Sequence, residues 1–211
     1  MIYLTGICLM SVFSFTRRQA LQAIAAITVA GALAACGEAP PPFKGSDITG
    51  TQLGKSIALT DMNGQPRTLK DFAGKVTVVF FGFTQCPDVC PTSLAEMAQV
   101  MQLLGPDADR VQVLLVTVDP QRDTPEILRE YVTSFDKRFL ALTGSPDELR
   151  QAAAAFKAYY AKVPTKDGGY TMDHTAAFYL IDGKGESRVL ANNTLGAQAL
   201  ANDIKLLLDG R

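Results

Sequence analysis

The chain has one histidine, His174, and four cysteines, of which Cys8 and Cys36 lie in the N-terminal stretch. The other two stand together in Phe83-Thr-Gln-Cys-Pro-Asp-Val-Cys-Pro91, directly after an apolar run. Two thiols and an imidazole are soft and borderline ligands, suited to holding a copper ion or to thiol redox chemistry. Outside the N-terminal stretch, Cys86, Cys90 and His174 are the whole of that inventory. Taken alone, Cys-x3-Cys also suits a plain structural disulfide, and a solitary histidine is commonly an ordinary hydrogen-bonded residue.

Elements that would position these residues can be read from the apolar pattern. Val76 to Phe81 is a β-branched and aromatic run of the kind found in a strand buried on both faces. Gly82 to Val89 breaks it, and Pro91 suits the first turn of a helix carrying Leu94, Met97, Met101 and Leu104. Gly105-Pro106 ends that helix, and Val111 to Val118 reads as a second strand. Thr124-Pro125 opens a helix with Ile127, Leu128, Tyr131, Val132 and Phe135 inward. Ser145-Pro146 opens another, running to about Tyr160 with Leu149, Ala152, Phe156 and Tyr159 inward. Ala176 to Ile181 and Arg188 to Leu190 flank Asp182-Gly183-Lys184-Gly185, a hairpin signal, and Leu195 to Leu208 is the last helix. Ile57 to Leu59 and Thr68 to Phe72, around Asn63-Gly64, form a small preceding hairpin, and Lys162 to Thr171 an exposed loop or ribbon. The expected fold is α/β and thioredoxin-like: a βαβ half joined to a ββα half, with a central mixed sheet covered on both faces by helices. The N-terminal hairpin and an inserted helix and loop region complete it.

In this plan the cysteine loop falls at the carboxyl end of a strand, where open α/β sheets build sites. Cys90 lies at or near a helix N-cap, where exposed N–H groups and the helix dipole favour a thiolate. The loop before the Ala176 strand faces the cysteine loop, so His174 points toward the sulfurs.

With 211 residues and a formal net charge of −1, the chain fits one domain plus a targeting segment. Near-neutrality argues against nucleic acid as a partner. Residues 1–35 read as a signal peptide: Arg17-Arg18 are the only charges before Glu38, and Ala23 to Ala35 are apolar but shorter than the roughly 18 residues of a membrane span. The stretch ends in Leu33-Ala-Ala-Cys36, a lipobox pattern that makes Cys36 the expected lipidation site. Thr16-Arg-Arg-Gln-Ala-Leu-Gln22 partly matches a twin-arginine export motif, and Met10 offers an alternative start. Residues 36–50, with Pro40-Pro41-Pro42, read as a lipidated N-terminus and linker, and 51–211 as the domain. The expected location is the periplasmic side of a bacterial membrane, reached by export and held by lipid.

The chain resembles the Sco/SenC family of copper-binding proteins. Phe83 to Pro91 matches its cysteine motif, Val118-Asp-Pro-Gln-Arg-Asp-Thr-Pro125 a second signature, and Asp173-His174 with Phe178-Tyr-Leu-Ile-Asp182 a third. The resemblance spans roughly residues 50 to 210. It implies copper, as Cu(I) or Cu(II), held by Cys86, Cys90 and His174. It also implies a role in assembling the binuclear copper site of cytochrome c oxidase. The implied partners are the copper-acceptor subunit of that oxidase and other periplasmic copper chaperones or thiol reductants. A metallochaperone is the first reading. A thiol–disulfide reductase using Cys86 and Cys90 as a redox pair is the second, and a redox or copper sensor or a peroxidase the third.

Two thiolates and an imidazole give Cu(I) a trigonal site, whereas structural zinc normally wants four protein ligands. Asp173, Asp119 and Asp123 are candidates to orient the ring or offset charge, although Asp119-Pro120 and Asp123-Thr-Pro125 equally read as a turn and a helix cap. Met172 is a candidate extra ligand, and Phe80, Phe81 and Phe83 are candidates for core and site wall.

Overall fold

The computed structural model describes residues 43–55 and 57–210; the segment read as a signal peptide, Cys36 and the triple proline lie outside them. Strands β1 (Ser46–Asp47), β2 (Ala58–Asp61), β3 (Pro66–Thr68), β4 (Val76–Gly82), β5 (Val111–Thr117), β6 (Leu140–Thr143), β9 (Ala177–Ile181) and β10 (Ser187–Asn192) form one sheet. Its order is β1-β10-β9-β4-β5-β6-β2-β3. A separate two-stranded ribbon pairs β7 (Tyr160–Pro164) with β8 (Tyr170–His174). Helices α1 (Val89–Leu104), α2 (Pro125–Phe135), α3 (Pro146–Phe156) and α4 (Ala197–Leu208) complete the elements used below.

The centre of the sheet is β4, buried along its whole length, parallel to β5 and antiparallel to β9. Alternation along β4 divides its aromatics between the two faces. Phe80 turns toward Phe178 and His174, while Phe81 turns toward Phe156 of α3 and Tyr179. Helix α1 packs on the Phe80 face with α2 and α4, and α3 covers the other face through Phe156. The expected mixed sheet with helices on both faces is therefore present. Helix starts follow their capping residues: Thr124 Oγ1 accepts the Ile127 N–H, and Ser145 and Glu148 form a capping box ahead of Pro146.

Several sequence expectations are corrected. Strand β6, parallel to β5, has no counterpart in the sequence reading: Leu-Ala-Leu-Thr is too short to show a period. Helix α3 stops at Phe156 rather than near Tyr160, because Lys157 takes the left-handed C-cap conformation at φ 53° usually given to glycine. Tyr159 is consequently 60% exposed, and Ile127 at the start of α2 is 44% exposed, so neither points inward. Strand β3 is short, and Leu69–Phe72 is a 3-10 turn rather than a continuing strand. Helix α1 begins at Val89, placing Cys90 inside the first turn. Ser46 and Asp47, within the segment read as linker, pair with β10, and buried Asp203 of α4 accepts the N–H groups of Lys44 and Gly45, each at 2.8 Å.

Candidate metal centre

The end of β4, the first turn of α1 and the end of β8 meet at one point. The ligand atoms of Cys86, Cys90 and His174 all lie within 4.8 Å of one another. Both cysteines are free; Cys90 is completely buried and Cys86 half-buried. The Cys90 N–H, one of the unpaired donors of the α1 N-terminus, points at Cys86 Sγ at 3.4 Å. Gly82 makes room for the buried sulfur. A Cβ there would sit 3.0 Å from Cys90 Sγ and 2.9 Å from the Phe80 ring.

His174 Nε2 faces Cys90 Sγ at 3.4 Å, while Nδ1 lies 3.2 Å from the Thr175 carbonyl oxygen. A carbonyl can only accept, so Nδ1 carries the proton and Nε2 presents its lone pair to the site. Burial lowers the imidazole pKa and so favours the neutral ring that a ligand must be, against the Thr175 bond and the nearby Asp173 charge, which raise it. Phe80 and Phe83 meet the ring edge-on at 6.0 and 5.8 Å and form its wall. Phe81 is core on the opposite face.

The expectation that the helix N-terminus favours a Cys90 thiolate is reversed in the metal-free protein. Burial pushes the Cys90 thiol far above its ordinary value, and the neighbouring Cys86 and Asp123 push the same way against a backbone bond at Phe83. A proton on Cys90 sulfur, shared with Nε2, satisfies both groups until a cation replaces it.

The aspartates play other parts than orienting the ring. Asp123 is buried and binds the cysteine loop: it accepts the Thr84 N–H at 3.2 Å and the hydroxyls of Thr84 and Thr117 at 2.5 and 2.6 Å. Asp119, also buried, accepts the Tyr170 hydroxyl at 3.0 Å and pairs with Arg122. Asp173 is exposed, and Met172 is half-buried against the core. Sequence reasoning missed Thr84, Arg122 and Tyr170 as site-building residues. All three lie in or beside the quoted motifs, but only the fold shows what they touch.

The donor chemistry fits a soft, low-coordinate cation. Two sulfurs and one unprotonated imidazole nitrogen converge, and the chain's single histidine leaves no further imidazole for a four-ligand zinc site.

A model of the SCO1/SenC family matches residues 46–209. The SCO2-like protein of Rickettsia felis is 36% identical over 137 residues, covering 64% of this chain and 67% of that one. The structure of Bradyrhizobium japonicum ScoI with copper bound is 43% identical, with a TM-score of 0.67, covering 78% of this chain and 99% of that one. A SCO1/SenC family lipoprotein of Bacillus anthracis is 27% identical, with a TM-score of 0.65 and coverage of 77% and 97%. With the match running from β1 through α4 and including every residue of the sulfur–imidazole cluster, this chain belongs to the SCO1/SenC family.

Proposed function

We propose that this chain binds one copper ion through Cys86, Cys90 and His174 and delivers it to the binuclear copper site of cytochrome c oxidase during that enzyme's assembly. The observation that carries this is the convergence of the three ligand atoms within 4.8 Å. Family membership and the copper-bound relative support it. Cu(I) as cargo takes the three donors directly, and Cu(II) adds a water or backbone oxygen. Half-buried Cys86 is the side from which an acceptor's ligands exchange in, and buried Cys90 holds the ion meanwhile. Loading displaces the Cys90 proton, so uptake strengthens as pH rises. We place the protein outside the cytoplasm on the periplasmic side, anchored by lipid on Cys36. The Leu33-Ala-Ala-Cys36 pattern and the lipoprotein relative support this. Its partners are then the copper-acceptor subunit and periplasmic copper chaperones or thiol reductants.

The reduced full-length protein should bind one copper per chain, with a sulfur-to-copper charge-transfer band in the Cu(II) form. Cys86→Ala or Cys90→Ala should abolish the band. Unchanged copper binding by the double-cysteine variant would overturn the assignment. Mass spectrometry of the native protein should find Cys36 as a lipid-modified first residue.

One geometric feature favours a second reading, a thiol–disulfide reductase. A half-exposed sulfur with a buried one behind it is the arrangement of an attacking and a resolving thiol. The two readings separate at His174, which reduction does not need. His174→Ala should keep a reducible Cys86–Cys90 pair yet fail to support oxidase assembly when copper is scarce; full complementation would favour the reductase.

A further inference from the structure

His174 is held by an element that stands apart from the main sheet. Its ribbon pairs only β7 with β8, and it joins the main sheet at the His174 end alone, where Thr175 and Ala176 lead into β9. A second set of contacts, at the opposite end of β8 from His174, converges on Tyr170. Alternation puts residues 170, 172 and 174 on one face of the strand. The Arg122 guanidinium donates from Nη1 to the Tyr170 carbonyl at 2.9 Å and lies 3.8 Å from the Tyr170 ring centroid. The Tyr170 hydroxyl donates to Asp119, and Arg122 is fixed in turn by its ion pair with the same buried carboxylate. Arg122 also lies 5.8 Å from the ring of Phe83, which walls His174. Lys162 of β7 adds a weaker tie, with Nζ 3.5 Å from the Tyr170 ring and 3.0 Å from Gln121 Oε1.

The cysteine side is held by a different carboxylate, which shares only the Thr117 hydroxyl and a backbone bond with Asp119. Asp123, the next residue after Arg122, holds Thr84 and Thr117, and none of its bonds passes through Arg122 or the ribbon. The loop after β5 thus divides its work between neighbouring residues, one gripping each half of the site.

We propose that Arg122 and Tyr170, seated on Asp119, form a latch that positions His174 over the cysteines, and that release of the latch lifts the imidazole away while both sulfurs keep their places. On the copper reading above, on which this rests, the latch sets how fast the ion is given up. Arg122 and Tyr170 are positioning residues and touch no metal themselves. Lysine at 122 would keep the charge but lose the planar fork that serves Asp119 and the Tyr170 carbonyl together.

The test uses full-length reduced protein and the variants Arg122→Lys, Arg122→Met and Tyr170→Phe, with His174→Ala as reference. In the metal-free state, amide exchange of Thr171 to His174 should quicken by about tenfold or more in Arg122→Met, while β4 and β5 amides stay protected. Cu(I) loss to a chelator should quicken by about 10- to 100-fold, the usual effect of removing a group that orients a ligand. Arg122→Lys and Tyr170→Phe, which keep the charge and the ring respectively, should fall between Arg122→Met and the wild type. The Cys86–Cys90 exchange equilibrium with glutathione should not move. The decisive arm is Arg122→Met in the His174→Ala background, where it should add nothing, because residues acting through one ligand are not additive. Unchanged ribbon exchange, or an equal Arg122→Met effect on Cu(I) loss with and without His174, would overturn the latch. Failure of the wild type to hold copper would instead overturn the metal reading, and the metal-free exchange data would still judge the latch.

Discussion

The buried sulfur of Cys90 owes its place to an atom that is missing from Gly82. Neither backbone angle nor turn chemistry requires glycine there; the requirement is space, because α1 brings Cys90 Sγ to 3.0 Å from where a Cβ would stand and Leu115 Cδ1 lies at 3.1 Å. Gly82→Ala should therefore fold but lose about 1–3 kcal/mol to overpacking. Its Cu(II) charge-transfer band should weaken or shift as Cys90 is displaced. Urea unfolding and the visible spectrum measure the two effects, and an unchanged band would show that the sulfur has room to spare. The meeting of Cys86, Cys90 and His174 was legible because no other side chain among the described residues carries a thiol or an imidazole. The glycine was not, because its function is defined by a neighbour from another element. Arg122 shares that property: the sequence shows a guanidinium in a motif but not the tyrosine 48 positions away that it grips.

Among the elements, those with their own punctuation were readable and those held by tertiary pairing were not. Helices α2 and α3 announce themselves with Thr-Pro and Ser-Pro, and β4 with a β-branched and aromatic run. Strand β6 exists because β5 and β2 flank it, and α3 ends on a lysine that carries no stop signal. The β2–β3 hairpin lies between these cases, for its turn is built around buried Asp61. That carboxylate accepts the N–H groups of Asn63 and Gln65 at 2.8 and 3.0 Å and pairs with Arg67 at 2.8 Å. Burial alone would raise its pKa, but the Gln65, Arg67 and Asn63 bonds together outweigh it and bring the value below 3.8. A folded-state pKa below the unfolded one means that the unfolded chain binds the proton more readily. The stabilisation is thus fully present above pH 3.8 and is lost as pH falls through the folded value. Asp61→Asn should cost about 1–3 kcal/mol at neutral pH, as charge-assisted hydrogen bonds do. Urea midpoints of wild type and variant should converge as acid protonates Asp61 in the folded protein, and a gap that stays constant throughout the acid titration would assign the loss to packing instead.

For the molecule as a whole, the site joins two distant stretches of chain, and this separates the effect of metal from that of oxidation. Cys86 and Cys90 are 4 positions apart, whereas Cys90 and His174 are 84 apart. A disulfide between the cysteines closes so short a loop that chain entropy gives about 2 kcal/mol. A bound ion shared with His174 ties the β4–α1 loop to the ribbon and closes a loop for which the same logarithm gives about 4–5 kcal/mol. The unfolded chain still offers both thiols to copper, since they stay neighbours in sequence, and binding to the unfolded state cancels from the stabilisation. The part that survives is the His174 closure. Cu(I) loading of the reduced full-length protein should therefore raise the urea midpoint more than oxidation does, and in His174→Ala the copper effect should fall to the size of the disulfide effect or below it. Equal copper stabilisation with and without His174 would mean that the two cysteines hold the ion alone and that the ribbon does not close on the site.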